Sequence, residues 1–206
     1  MLFMATVNAA GQPFNLLEDQ RSVVRAAHSI FPAGTPYIDR CSMISSAPKH
    51  GIFMSSWGIE VYRDARLPIF RDILRDMRPA YLIANSPALQ TALTGDGVDE
   101  RLLRADRAVL RENFIHHWGP IWVVGKTLEP TAGALQFEIL VPGKYTIEGL
   151  GEFQLDGSQR RPGDVVTLAA GNHHASRLGG TTRLRWGSHL RRPATPGPTS
   201  GLFGDL

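Results

Sequence analysis

What this chain can fold into is constrained first by a change of period near Trp118. Before that residue apolar positions recur at helical spacing; after it they alternate. Between 135 and 187 the alternating runs are broken at Pro142-Gly143, Asp156-Gly157 and Gly179-Gly180. A side-chain period of two, with turn residues at roughly eight- to twelve-residue intervals, is the pattern of a small antiparallel β domain. The spacing predicts strands over 121–128, 135–141, 143–149, 152–155, 163–169, 173–177 and 181–187. Asp156-Gly157 suits a tight turn, since glycine accepts positive φ. Gly179-Gly180 is expected to close another hairpin.

The first half reads differently. Leu16, Leu17, Val23, Val24, Ala27, Ile30 and Phe31 mark an amphipathic helix, with Asn15 as its N-cap and Pro32 as its stop. A short buried strand follows at Pro36, and the ambiguous run Gly51–Gly58 is a candidate second strand. Apolar spacing predicts a helix over 66–77, a buried strand over 80–85, a short helix from Pro87 capped by Ser86, and a helix over 99–113. Helices alternating with strands imply a sheet covered by helices. The expected architecture is an α/β layer, a small parallel or mixed sheet with helices, over 1–115. An all-β antiparallel sandwich follows over 116–192, then a flexible tail over 193–206 rich in Pro, Gly, Ser and Thr.

Composition narrows the functional classes. The net charge is only +3, and much of the arginine alternates with acid in RDARLPIFRDILRDMR, the pattern of a solvated helix face. Such a chain leaves a weak footprint for nucleic acid, and none is expected as partner. Cys41 stands alone, which excludes an internal disulfide framework and a multi-cysteine zinc site. No run of about 18 apolar residues spans a bilayer. The N-terminus MLFMATVNAAGQPFN lacks the basic and apolar regions of a signal peptide.

Three constellations are candidates for chemistry. Asp39 and Asn85 fall at the carboxyl ends of two strands in the α/β half, where open sheets gather ligands; Trp57 lies in a segment expected nearby. Their structural alternative is capping and turn formation. His116, Trp118 and Trp122 lie where the two architectures meet. Tryptophan offers a flat apolar face with a polar edge, suited to a sugar, but the same residues would equally fill a seam. The third is GDVVTLAAGNHH. It is similar to the second metal-binding motif of cupins, with Gly163, Gly171 and His174 at matching spacing but Ala169 in place of proline. No H-x-H lies upstream, and the adjacent pair His116-His117 would point opposite ways in a strand. No metal is therefore expected, with His174 as the alternative ligand, and no cofactor. The chain has no G-x-S-x-G, no P-loop and no G-x-G-x-x-G. No pair of carboxylates stands out as a glycosidase acid and base.

The segments PYIDRCSMISSAPKHGIFMSSWGIEVYRDARLPIFRDILRDMRPAYLIANSP and VLRENFIHHWGPIWVVGKTL, followed by FEILVPGKYTIEG, FQLDG and GDVVTLAAGNHH, resemble part of a known family. It is the soluble C-terminal periplasmic region of bacterial dolichyl-phosphate-mannose-type membrane glycosyltransferases of GT-C architecture. The resemblance covers about residues 20–190. It implies an accessory domain, cut after a last membrane span, that carries no catalytic residue. Catalysis would belong to the membrane core of the same parent chain, a polyprenyl-phosphate-sugar glycosyltransferase. The implied partners are that core and a glycan or lipid-linked saccharide, and the implied place is the periplasmic face of the inner membrane. The alternatives are a stand-alone carbohydrate-binding or cupin-like protein and, behind it, a small hydrolase built on Asp39 and Asn85.

Overall fold

The computed structural model describes residues 16–49, 55–96, 101–198 and 202. The expected lead-in over 1–13, the Asn15 cap, and positions 51–54 of the candidate second strand lie outside the described residues. Helix α1 (Leu16–Ile30) leads to the two-residue strand β1 (Tyr37–Ile38). Helix α2 (Ser56–Ala65) begins inside the ambiguous run Gly51–Gly58, so that the described end of this candidate strand is helical. Its cause is local: the Ser55 hydroxyl accepts the Gly58 N–H (3.1 Å), an N-cap, and Ile59 and Tyr62 then fall on one buried face. Arg66, at φ 54°, stops it.

The helix expected over 66–77 starts later. Pro68 leaves no donor, and the turn α3 (Phe70–Asp72) passes into a π turn (Ile73–Met77) that ends at Arg78 in the left-handed region, before Pro79. The buried carboxylate of Asp106 holds its start, accepting the N–H groups of Ile69 (3.0 Å) and Phe70 (2.9 Å) and the Tyr62 hydroxyl. A cap supplied 36 residues along the chain is invisible to local sequence reading. Strand β2 (Tyr81–Ile83) and helix α4 (Pro87–Thr94) follow as expected, with the Ser86 hydroxyl accepting Leu89 N–H. Helix α5 (Arg104–Asn113) begins later than expected, and Phe114 turns at once into strand β3 (Phe114–Trp118), which the sequence reading missed.

The second half holds β4 (Ile121–Leu128), β5 (Thr131–Ile139), β6 (Gly143–Glu148), β7 (Phe153–Leu155), β8 (Ser158–Arg160), β9 (Val165–Leu168), β10 (Gly171–Leu178) and β11 (Thr182–Trp186). All seven expected strands are present within a few residues. The added one, β8, is largely exposed and carries no apolar alternation to betray it. Asp156 (φ 50°) and Gly157 (φ 77°) form the β7–β8 turn, both in the left-handed region. The pairing is nested: β7 with β8, β6 with β9, β5 with β10, β4 with β11. Gly179-Gly180 therefore closes no hairpin, because β10 and β11 belong to different sheets and the glycines carry the chain between them.

One sheet has the order β1-β2-β4-β11-β6-β9, with β3 also on β4; the other, antiparallel throughout, has the order β5-β10-β7-β8. The first is mixed, since β1 and β2 run parallel and the other pairs antiparallel. It crosses the expected boundary at 115/116 without a break, because β4 pairs with β2 at one end and β11 at the other. Along β1, β2 and β4 alternate residues enter two cores. Tyr37, Tyr81, Ile83, Ile121 and Val123 pack with α1, while Ile38, Leu82 and Val124 pack with α2, α3, α4 and α5. Burial on both faces explains why β2 reads as an unbroken apolar run. The second core continues into the inward residues of both β sheets, from Tyr145 and Ile147 to Leu155 and Ala175. Among the described residues no helix is long and apolar enough to cross a membrane.

Arg185 fastens the two halves together. It sits on β11, 4% exposed, and its guanidinium donates to both Glu148 oxygens (2.7 and 3.0 Å) and to His116 O (3.1 Å). Burial would raise the Glu148 pKa, but Arg185, helped by Arg192 and Arg183, holds it below the usual carboxylate range. Arg185→Ala is expected to cost about 3 kcal/mol, because it strands a carboxylate and a β3 carbonyl. A shift of the urea midpoint at unchanged slope would measure this; a loss under about 1 kcal/mol would show that water replaces the guanidinium.

Candidate functional site

The β3–β4 hairpin builds the site. Its turn contains Gly119 at φ 48°, and the pairing shifts register between His116 and Trp118. His116 stands directly opposite Trp122, and the two rings meet edge to face at 5.2 Å. The His116 Nε2–H donates to Gly119 O (2.9 Å), which fixes the imidazole over the turn and sends its other nitrogen outward. These residues, with Gln90 and Thr94 of α4 and the segment Pro196–Pro198, line a cleft of about 450 Å³.

Behind the cleft the same hairpin is sealed. Trp118 is 8% exposed, and its Nε1–H donates to Thr195 O (2.7 Å). His117 is buried with Nε2–H on Arg191 O (3.0 Å) and Nδ1 facing the Arg185 guanidinium (3.5 Å). Burial holds its pKa below the usual histidine value, and the Arg185 and Arg192 charges add to that, against the Arg191 carbonyl. His117 is thus a neutral member of the seam. Of the three seam candidates, His116 and Trp122 face the cleft, and Trp118 supports it from beneath.

Asp39 and Asn85 do come together, but at a different place and fully committed. The Asp39 carboxylate accepts Ser42 N–H (2.9 Å), Met43 N–H (2.8 Å) and an Asn85 amide N–H (3.1 Å). The Asn85 carbonyl accepts Arg40 N–H (3.0 Å). Together they hold the turn after β1, where Ser42 has φ 54°. The space beside Asp39 and Ser86 is about 10 Å³, no more than a single water needs. Trp57 is 73% exposed on α2 and does not line the cleft.

His174 points outward from β10 and is exposed; the imidazole half-buried on that strand is its neighbour His173. His173 stacks on Phe137 of β5 at 5.8 Å. Its Nδ1 lies 2.7 Å from Asp156 Oδ2, its Nε2 2.9 Å from Ala169 O, and Asp156 Oδ1 accepts His174 N–H (2.9 Å). Two acceptor oxygens on one ring require both nitrogens protonated, so the geometry is that of an imidazolium. Among the described residues no group of three or more His, Cys, Asp or Glu is placed to hold a metal ion.

The sequence reading missed Gln90, Thr94 and the 196–198 segment as cleft walls. Gln90 and Thr94 sit at exposed positions four apart on α4, ordinary for a helix face; only the fold brings them opposite Trp122. Comparisons of the chain with protein-family models, with curated proteins and with solved structures found no match.

The His173–Asp156 pair has a defined pH signature. Burial would lower the His173 pKa, but the Asp156 carboxylate and Ala169 carbonyl outweigh it and raise the value. Burial would raise that of Asp156, but His173 and the His174 N–H lower it. The histidine's contribution is complete below about pH 6.5 and is lost as pH rises through the elevated folded value. The aspartate's is complete above about pH 3.9 and is lost as pH falls through its depressed value. Asp156→Asn keeps the left-handed turn and an acceptor for His174 N–H while removing the charge. Its melting temperature is expected to fall below that of the unaltered protein near pH 5.5, with the gap closing above neutrality. A gap independent of pH would mean that the pair carries no charge.

Proposed function

We propose that this chain is a non-catalytic glycan-recognition domain, the accessory part of a membrane glycosyltransferase that works on polyprenyl-phosphate sugars at the periplasmic face. One observation carries the recognition part: Trp122 and His116 lie edge to face in a cleft whose other wall bears Gln90 and Thr94. An indole face receives the C–H face of a sugar ring, while an amide, a hydroxyl and an imidazole nitrogen exchange hydrogen bonds with its hydroxyls. The cleft volume of about 450 Å³ falls within the roughly 300–1,000 Å³ usual for small-molecule sites. The commitment of Asp39 and Asn85 to the β1 turn argues against the hydrolase alternative. The placement in a glycosyltransferase, and with it the accessory role, rests on the sequence resemblance.

The strand order favours a second, finer reading of the β half. Four nested strand pairs divided between two sheets, with one core shared by both, support a jelly-roll reading. Lectin domains and cupins both use that architecture, so the cupin-like alternative is kept in its metal-free form.

Titration of 15N-labelled protein with methyl glycosides of glucose, galactose and mannose tests the reading. Saturable shifts of the Trp122 indole are expected at millimolar dissociation constants, weak because few contacts offset the ordering cost. Trp122→Ala should weaken binding about tenfold, or about 1.4 kcal/mol. Unmoved tryptophan signals with all three sugars would sink the recognition role. Stoichiometric metal in purified protein, lost in His174→Ala, would replace it with a metal cupin.

A further inference from the structure

Beyond β11, residues on both sides of the start of the expected flexible tail (193–206) contact the hairpin and α1. Arg191 O accepts from His117 and Thr195 O from the Trp118 indole (2.7 Å). Gly197 lies against the hairpin turn so closely that a Cβ on it would stand 2.6 Å from Gly119 Cα and 3.0 Å from the Trp118 ring. Further on, Leu202 is fully buried in the α1-side core, and its carbonyl accepts a Gln20 amide N–H (2.9 Å). These anchors lie on both sides of Pro196–Pro198, the stretch that walls the cleft.

That wall is chemically one-sided. Pro196 and Pro198 have no N–H to offer, and their side chains are ring methylenes. The rest of the lining sets the polar side chains of Gln90, Thr94 and His116 beside the apolar Trp122, Ala84 and Pro120. A planar-edged polyol would leave hydroxyls unpaired against the prolines, at the cost of burying an unsatisfied group. A ring with one C–H face and one hydroxyl edge satisfies both sides.

We infer that residues 191–198 form a strap that is the specificity-determining wall of the cleft, selecting pyranosides by their apolar face, and that strap docking and ligand binding stabilise each other. This rests on the glycan-recognition reading and sharpens it. Because the ligand contacts the strap only when it is docked, linkage makes the effect reciprocal: sugar must tighten the strap by the factor by which the docked strap tightens sugar.

Gly197 supplies the perturbation. Any side chain there meets backbone of a turn with Gly119 at φ 48°, so Gly197→Val is expected to lift the strap. Hydrogen exchange of the Trp118 indole N–H reports docking without reference to any ligand. In the unaltered protein this proton is expected to be protected, and saturating methyl glycoside should slow its exchange at least about threefold. Gly197→Val is expected to lose the protection and to bind the sugar at least about tenfold more weakly. A second variant, Pro196→Ala/Pro198→Ala, keeps the Thr195 and Gly197 contacts and carries the test should Gly197→Val misfold; it should keep indole protection and weaken binding about threefold. Equal sugar affinity in either folded variant and the unaltered protein overturns the strap's role while leaving glycan recognition standing. An exchange rate unaffected by sugar overturns the coupling. Absence of sugar binding by the unaltered protein overturns both readings, even with the Trp118 indole protected.

Discussion

The rest of the molecule depends on one cation withdrawn from water. Arg185 lies on β11 within the mixed sheet, and its donors face acceptors on two other strands: the Glu148 carboxylate on β6, and His116 O with the His117 ring on β3. Desolvating a guanidinium is tolerable only when its whole fork is occupied, and here the fork sets distances among three strands at once. The hairpin that builds the cleft is therefore positioned from behind by electrostatics and from its flanks by apolar packing. His117, neutral and buried, is compatible with this because its protonated form would confront Arg185.

That arrangement explains why the two halves are not beads on a string. Within one mixed sheet, β4 pairs through its first residues with the helix-covered strand β2 and through its last with β11 of the β half. The alternating faces of a single strand thus communicate with the α1 core, the α2–α5 core and the interior of the β half. Gly125 on that strand has no room for a Cβ, which would lie 2.5 Å from both the Ile115 side chain and Leu184 O, so β3 and β11 close in on it.

What was legible in the sequence was local. The period-two runs gave β4 to the residue, and a serine before proline gave the start of α4. Asp156-Gly157 gave the β7–β8 turn, because each of these signals acts within a few residues. What was not legible depended on partners far along the chain. Asp106 capping α3 left no mark near residue 70. Gly179-Gly180 resembled a hairpin turn because glycine pairs serve equally for a crossing between sheets. Arg185 meets its partners Glu148 and His116 far along the chain, and no neighbour in sequence marks it as buried. Pro-, Gly- and Ser-rich composition after residue 192 argued for freedom, yet Trp118 and Gly119 offer it a donor and a smooth backbone surface to lie on. The cleft residues His116 and Trp122 were visible as types; that they share a cleft with Gln90 and Thr94 was not.

The nested pairing has a kinetic corollary. Its innermost pair, β7 with β8, closes across two residues, whereas β4 and β11 must find each other across more than fifty. Loop-closure entropy grows with that separation, so assembly is cheapest at Asp156-Gly157 and dearest at the outermost pair. Zippering outward from the turn shortens each successive search, because the pair already formed brings the next two strands close. Arg185 lies on the outermost strand and residues 191–198 beyond it, so the fork and the proline wall come together only after the inner pairs. A filled cleft is in that sense a readout of a finished ribbon: the last contacts to form are the ones a ligand would meet.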